Sequence, residues 1–338
     1  MIYVPVVSSC GKALMPCHPA RARELVKKNK AVRRFNKGIF YIKLLERCEG
    51  VTQDVACGID PGSRKEGYTV KSDVRTFLNV QSDAVTWVKK VVEIRRNMRK
   101  ARRNRKTPFR KNKVNRKRGS LPPSTKARWQ WKLRISKWLS NLYPITCFVV
   151  EDLKAHTYGG RKWNTSFSPL QVGKNWFYLE LAKITKVILK LGFETKQLRD
   201  SMGLKKTKKK LSEVFEAHCV DSWVLANSWV GGHTKPDNKS ILFITPLRFY
   251  RRQLHRLQPA KNGIRKRYGG TFRLGFKKGS IVKHKKYNNC YVSGFSNTSL
   301  SLRSLENGKL LTQKAKLQDT TFLSYNSWRV RQASSKKR

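Results

Sequence analysis

Acidic residues are scarce in this chain. Only 20 Asp and Glu stand against 75 Lys and Arg in 338 residues, which leaves a formal net charge of +55. A small domain stays soluble with a net charge of about 2–8. An excess this large repels itself in the compact state unless a polyanion neutralises it, so nucleic acid is the expected partner. Long apolar runs are missing too: no window approaches the roughly 18 consecutive apolar residues of a membrane span. Met1 to Val7 is apolar but lacks the basic region and long hydrophobic stretch of a secretory signal. A cytoplasmic protein, nucleoid-associated in a prokaryotic host, is expected. Cysteine is sparse and scattered (Cys10, Cys17, Cys48, Cys57, Cys147, Cys219, Cys290), with no Cys-x-x-Cys pair. That argues against a disulfide framework and a zinc ribbon, and predicts seven reduced thiols.

What is present suffices for a core. The hydrophobic share is 39% with nine Trp, which separates the chain from a disordered basic tail. Its length suits two or three domains. In residues 1–50 the pattern predicts a strand over 2–7, a helix over 20–30 opened by His18-Pro19, and strands over 32–35 and 39–45 around Asn36-Lys37-Gly38. Strands follow at 55–59, 67–70 and 76–80. Residues 83–118 begin as a helix and become extremely basic, with 16 Lys/Arg and one acid between Lys89 and Arg118. This segment carries +15, so +40 is spread elsewhere. An aromatic-basic helix is predicted over 126–142, a strand over 145–150, a loop over 157–175, a helix over 176–191, a strand over 193–198, a Lys-rich loop over 205–210 and a helix over 211–230. Beyond about residue 240, short alternating runs with Gly and Asn turns suggest a small β barrel or sandwich.

With so few acids, a carboxylate embedded in apolar sequence needs a reason to be there. Asp60 closes one apolar strand and Glu151 another. Asp221 lies in an apolar helix, where His218, three residues earlier, shares its face. A buried unpaired carboxylate is costly, and a divalent metal could serve all three. The chemistry that suits this arrangement is two-metal hydrolysis of a phosphodiester, with the carboxylates holding the ions. Oxygen ligands suit Mg²⁺, expected as two ions with Mn²⁺ as a substitute, while the lack of Cys/His clusters disfavours zinc. His218 could deprotonate the attacking water or orient it. Read singly, acids at strand ends can equally cap a helix or pair with an Arg.

Three segments, Gly58-Ile59-Asp60-Pro61-Gly62-Ser63, Val149-Val150-Glu151-Asp152-Leu153 and His218-Cys219-Val220-Asp221-Ser222, resemble the three split motifs of RuvC-like nucleases of the RNase H fold class. Gly11 to Arg23 resembles the N-terminal PLMP module of the transposon-encoded IscB and IsrB proteins, with Ala13 in place of the first proline. The resemblance implies an α/β fold: an RNase H-like (RuvC) core with split motifs, an Arg-rich bridge helix, a small N-terminal PLMP module and a C-terminal β-rich domain. The implied boundaries are 1–52 for the module, 53–82 for the first part of the core, and 83–125 for the bridge helix and basic linker. Residues 126–238 hold the second and third parts, and 239–338 a β-rich domain that interacts with the target-adjacent motif. Only 66 residues separate Glu151 from His218, too few for the HNH nuclease of IscB. This is the IsrB pattern. It implies a nickase that binds a long non-coding guide RNA, pairs it with double-stranded target DNA and cuts the non-target strand with Asp60, Glu151, His218 and Asp221.

Arg95, Arg96, Arg99, Arg102, Arg103, Arg105 and Arg110 in the bridge segment are the expected contacts to nucleic acid, joined in the C-terminal region by Arg251, Arg252, Arg265 and Arg267. Two alternatives remain at this level: a guide-independent RuvC-type structure-specific nuclease, and a non-catalytic RNA-binding, transposon-associated protein.

Overall fold

A computed structural model describes residues 3–104, 121, 123–154, 169–248, 257–258, 263–264 and 270–332. The chain opens with β1 (Val4–Val7), β2 (Ala13–Cys17), α1 (Pro19–Lys27), β3 (Ala31–Asn36) and β4 (Ile39–Leu44). Helix α1 starts where its sequence says it should. Pro19 occupies the first turn, and His18 caps it by accepting the Ala20 N–H at Nδ1, 3.2 Å away. The β3–β4 turn places Lys37 and Gly38 at φ 50° and 98°, the left-handed geometry that two-residue hairpins favour. The four strands form a sheet in the order β2-β1-β4-β3 around Val4, Val6, Leu14, Ala22, Ala31, Ile42 and Leu44. The expectation of seven free thiols is corrected here. The turn between β1 and β2 lies beside the chain leaving β4, and Cys10 and Cys48 form a disulfide with Cα atoms 5.2 Å apart. The separation of 38 positions hides this proximity in the sequence.

The central elements are β5 (Ala56–Asp60), β6 (Lys65–Lys71), β7 (Thr76–Asp83), α2 (Trp87–Asn104), α3 (Pro123–Ser140), β8 (Cys147–Asp152), α4 (Pro169–Ala182), β9 (Lys186–Leu191), α5 (Gly192–Ser201) and α6 (Phe215–Val230). Three expectations fail in this stretch. The predicted 157–175 loop is helical from Pro169 onward, its earlier part lying outside the described residues. The predicted 176–191 helix divides into the end of α4 and strand β9, because Val187, Ile188 and Leu189 pair in parallel with β8. The predicted 193–198 strand is helix α5, whose start is fixed by Glu194 reaching back to accept the Leu191 N–H at 2.5 Å.

The remaining strands are β10 (Ile241–Pro246), β11 (Leu257–Gln258), β12 (Gly263–Ile264), β13 (Phe272–Arg273), β14 (Phe276–Lys277), β15 (Ser280–His284), β16 (Asn288–Phe295), β17 (Leu300–Ser304), β18 (Leu310–Ala315), β19 (Thr320–Tyr325) and β20 (Trp328–Gln332). Five of them make an open antiparallel sheet, β18-β17-β16-β15-β19, packed around Val282, Cys290, Val292, Leu300 and Leu302. The first and last strands of this region leave it: β10 and β20 extend the large sheet instead.

That large mixed sheet has the order β20-β10-β7-β6-β5-β8-β9. Its strands β5 and β8 are buried and almost purely apolar, as expected of a sheet covered on both faces. One face packs Cys57, Ile59, Tyr68, Val70, Phe148 and Val150 against α3 and α4, and Trp129, Trp131 and Trp138 of α3 are core residues here. The other face carries α6. From Phe215 to Asn227 every residue of this helix except Glu216 is buried, so it has no solvent stripe. Among the described residues no helix is long and apolar enough to cross a membrane.

Helix α6 sits close to the sheet because β5 and β6 present glycine to it. A Cβ at Gly58 would overlap the Ser222 carbonyl, and one at Gly67 the His218 carbonyl, both rigid backbone. Gly58→Ala is therefore expected to cost about 3 kcal/mol or more. Gly294→Ala, whose Cβ would meet nothing nearer than 3.7 Å, is expected to stay within about 1 kcal/mol. Denaturant unfolding of the two variants checks this; equal losses would contradict the packing account.

Candidate metal centre

The site is built by register. Strands β5 and β8 run parallel with Ile59 opposite Val150, so the next residues, Asp60 and Glu151, stand side by side at the same end of the sheet. Beneath them the glycine floor lets α6 approach, and Thr69 and Ser222 tie helix to sheet through a 2.8 Å hydroxyl contact. This brings His218 and Asp221 up to the strand ends. Asp60, Glu151 and Asp221 each offer an oxygen within 4.8 Å of the others, with Asp60 and Asp221 buried and Glu151 half-buried. The structure thus gathers all four residues singled out by the sequence.

The adjacent acid behaves differently. Asp152 is absorbed by α4, accepting from Lys174 Nζ at 2.5 Å and from the Tyr178 hydroxyl at 2.9 Å. Of the Glu151-Asp152 pair, only the first serves the cluster.

His218 has both ring nitrogens engaged. Nδ1 lies 3.1 Å from Asp60 Oδ2 and Nε2 lies 2.9 Å from the Lys210 carbonyl. The Lys210 carbonyl can only accept, so the Nε2 contact is made by its N–H. Two cations reach the cluster. Arg199 Nη1 donates to Asp221 Oδ1 at 2.7 Å, while Lys206 pairs with Asp221 Oδ2 and lies 4.0 Å from Asp60 Oδ2.

The carboxyl groups respond unequally. Burial, followed by the charges of Asp60 and Asp221, pushes Glu151 up from 4.5 to about 8. Burial also opposes the charge of Asp60, but the His218 hydrogen bond and the Lys206 charge outweigh it and hold this carboxyl below its ordinary range. Glu151 is accordingly the member that keeps a proton, shared with Asp60, when no metal is bound. The donor set consists of carboxylate oxygens and fits a hard divalent cation. Cys219, next to His218 in sequence, is buried, and burial pushes its thiol up, away from the thiolate that a softer metal would need.

The reverse face of the sheet holds an ion pair that sequence reasoning missed. Glu66 and Lys132 are both buried and paired, the Tyr68 hydroxyl donates to Glu66 Oε2 at 2.8 Å, and Lys132 reaches the Gly62 carbonyl at 3.4 Å. Lys132 thereby links α3 to the turn that leaves Asp60. Arg199 was also missed, and nothing in its local sequence announces it. Lys206 left a signal only as one of five lysines between positions 205 and 210.

The expected nucleic-acid contacts are partly visible. Arg95, Arg96, Arg99 and Arg103 are exposed on α2, and the backbone of Arg102 belongs to the same helix. Val85 and Val88 anchor its start in the core, whereas 92–101, 103 and 104 face outward. Arg105, Arg110, Arg251, Arg252, Arg265 and Arg267 lie outside the described residues. A cleft of about 680 Å³ between α3 and the C-terminal strands is lined by Arg134, Arg248, Lys277, Lys278 and Tyr325, among others.

A family profile described as "RRXRR protein" matches residues 4–159, a stretch that includes Asp60 and Glu151 and ends before His218. Among solved structures the chain is similar to T. thermophilus RuvC in complex with Holliday junction substrate, at 12% identity and a TM-score of 0.30, covering 53% of this chain and 98% of that one. No curated protein matches the chain.

A pH dependence follows from Glu151. Its carboxyl ionises near 4.5 in the unfolded chain and near 8 in the folded, metal-free protein, so the folded state binds more protons between those values. The contribution is fully present below pH 4.5 and is lost as pH rises toward 8. Denaturant unfolding in chelator should show stability declining across this window, and Glu151→Gln should flatten the decline. An unchanged slope in the variant would contradict the assignment.

Proposed function

We propose that this chain is a RuvC-like, metal-dependent DNA endonuclease of the IsrB type, a nickase directed by a guide RNA. The observation that carries the reading is the meeting of Asp60, Glu151 and Asp221, three of only 20 acids, drawn from three separate segments into one cluster. These carboxylates would hold Mg²⁺, or Mn²⁺ in its place, which when bound supplies Lewis-acid activation of water and of the phosphodiester. His218 orients Asp60: its Nε2 is held by the Lys210 carbonyl, so the ring serves as a strut rather than a free base. Arg199 fixes Asp221 from the α5 side. Lys132, through the Gly62 carbonyl, steadies the turn beyond Asp60.

The guide and target are assigned to the basic surface. Helix α2 carries eight Lys/Arg against Glu93, and among the described residues 92–101, 103 and 104 are exposed, which suits a phosphate backbone. The resemblance of Gly11 to Arg23 to the PLMP module and the basic run between Lys89 and Arg118 favour the guided reading over a guide-free resolvase, and the short interval between Glu151 and His218 favours its HNH-lacking form. The region around Arg248, Lys277 and Lys278 is assigned to the motif flanking the target. One such centre per chain cuts one strand.

The test begins with purification alongside the flanking locus. A discrete non-coding RNA of roughly a hundred or more nucleotides is expected to accompany the protein. With the guide reprogrammed and Mg²⁺ present, a matched supercoiled plasmid should become an open circle, and Asp60→Ala should abolish this. Absence of RNA would sink the guided reading. Nicking that persists in Asp60→Ala would sink the metal centre, and linearisation would contradict the single-strand assignment.

A further inference from the structure

The cations around the acidic cluster divide into two kinds. Arg199 is fixed in helix α5, its side chain only 13% exposed, and it takes Asp221 Oδ1. Lys206 comes from the segment between α5 and α6 and takes Asp221 Oδ2, while approaching Asp60 Oδ2 at 4.0 Å. One ammonium therefore contacts an oxygen of two of the three clustered carboxylates. Among its neighbours Lys205, Lys208, Lys209 and Lys210 are all exposed, and Lys206 alone of the five is drawn inward. The same segment is pinned at its far end by the Lys210 carbonyl on His218.

We infer that Lys206 is an exchangeable cation that occupies the metal position between Asp60 and Asp221 and withdraws when a divalent ion binds. The inference rests on the metal-centre reading above and deepens it. Without a cation, three carboxylates this close would repel one another in a poorly solvated site. Lys206 removes that cost with a compact charge on a flexible stem, whereas the planar fork of Arg199 engages Oδ1 and can remain when Oδ2 changes partner. Lys206 is thus a positioning residue for the metal-free state and a competitor for the metal. Once displaced, it joins four exposed lysines beside the site, so metal loading adds a cation to the surface that meets a phosphodiester.

The full-length chain, stripped of nucleic acid at high salt, is titrated with Mn²⁺, and free Mn²⁺ is read by electron paramagnetic resonance. Lys206→Met should bind Mn²⁺ about tenfold more tightly than the wild type, a gain equivalent to about 1.4 kcal/mol. Lys206→Arg should bind no more tightly than the wild type. The metal-free Met variant should melt at a lower temperature and recover more on adding Mn²⁺. If Met perturbs folding by circular dichroism, Lys206→Gln is used with the same expectation. Equal affinity of the neutral variants and wild type, with Asp221→Asn abolishing binding, would overturn the exchange while leaving the metal centre intact. Tightening by Lys206→Arg equal to that of Lys206→Met would also overturn it. Binding unaffected by Asp221→Asn would overturn the metal centre itself.

Discussion

The close approach of α6 to the sheet is the constraint on which the site depends. Two strand positions, Gly58 and Gly67, have no side chain, and the helix backbone at Ser222 and His218 fills the space they leave. If the helix rode higher, at the spacing ordinary side chains impose, Asp221 would be lifted away from Asp60 and Glu151. Parallel pairing of β5 with β8 contributes the second condition, because it brings two strand-ending carboxylates to one edge without any loop having to place them. Rigid elements therefore supply all three acids, which is how precise constellations are usually held.

The same geometry creates an electrostatic problem inside a protein of net charge +55. Three carboxylates share a small, partly dry volume, and the response has three parts. Glu151 keeps a proton, Asp60 is held ionised by His218 and Lys206, and Asp221 is paired on both oxygens. Cations are abundant in this chain, so surrounding the cluster with them is easy. The outward side of the imbalance is α2, whose described residues from 92 onward are exposed and include a row of arginines, a charge density that suits a polyanion.

Much of this was legible in the sequence, and the rest failed for physical reasons. The convergence of Asp60, Glu151 and Asp221, with His218 beside Asp60, was legible because acids are rare and sit in apolar runs, a contrast that needs no tertiary knowledge. The α6 helix was legible, though its start lies at Phe215 rather than 211. Strand β9 and helix α5 were read in reverse, since Lys186 to Ser201 has mixed local preferences and its state is decided by pairing with β8 and by the Glu194 cap. The Cys10–Cys48 pair, the Glu66–Lys132 pair and Arg199 were invisible because each depends on contacts between segments far apart in the chain or on the packing of one helix against another. The tryptophans of α3, noted for their aromatic-basic setting, are core residues facing the sheet.

The central claim is that Asp60, Glu151 and Asp221 form one divalent-metal centre. Anomalous diffraction from crystals grown with Mn²⁺ tests it most directly. The account predicts an anomalous peak bounded by these three carboxylates, with Lys206 turned away from Asp221. A cluster still paired with Lys206 and Arg199, with no Mn²⁺ peak between the carboxylates at saturating metal, would contradict it.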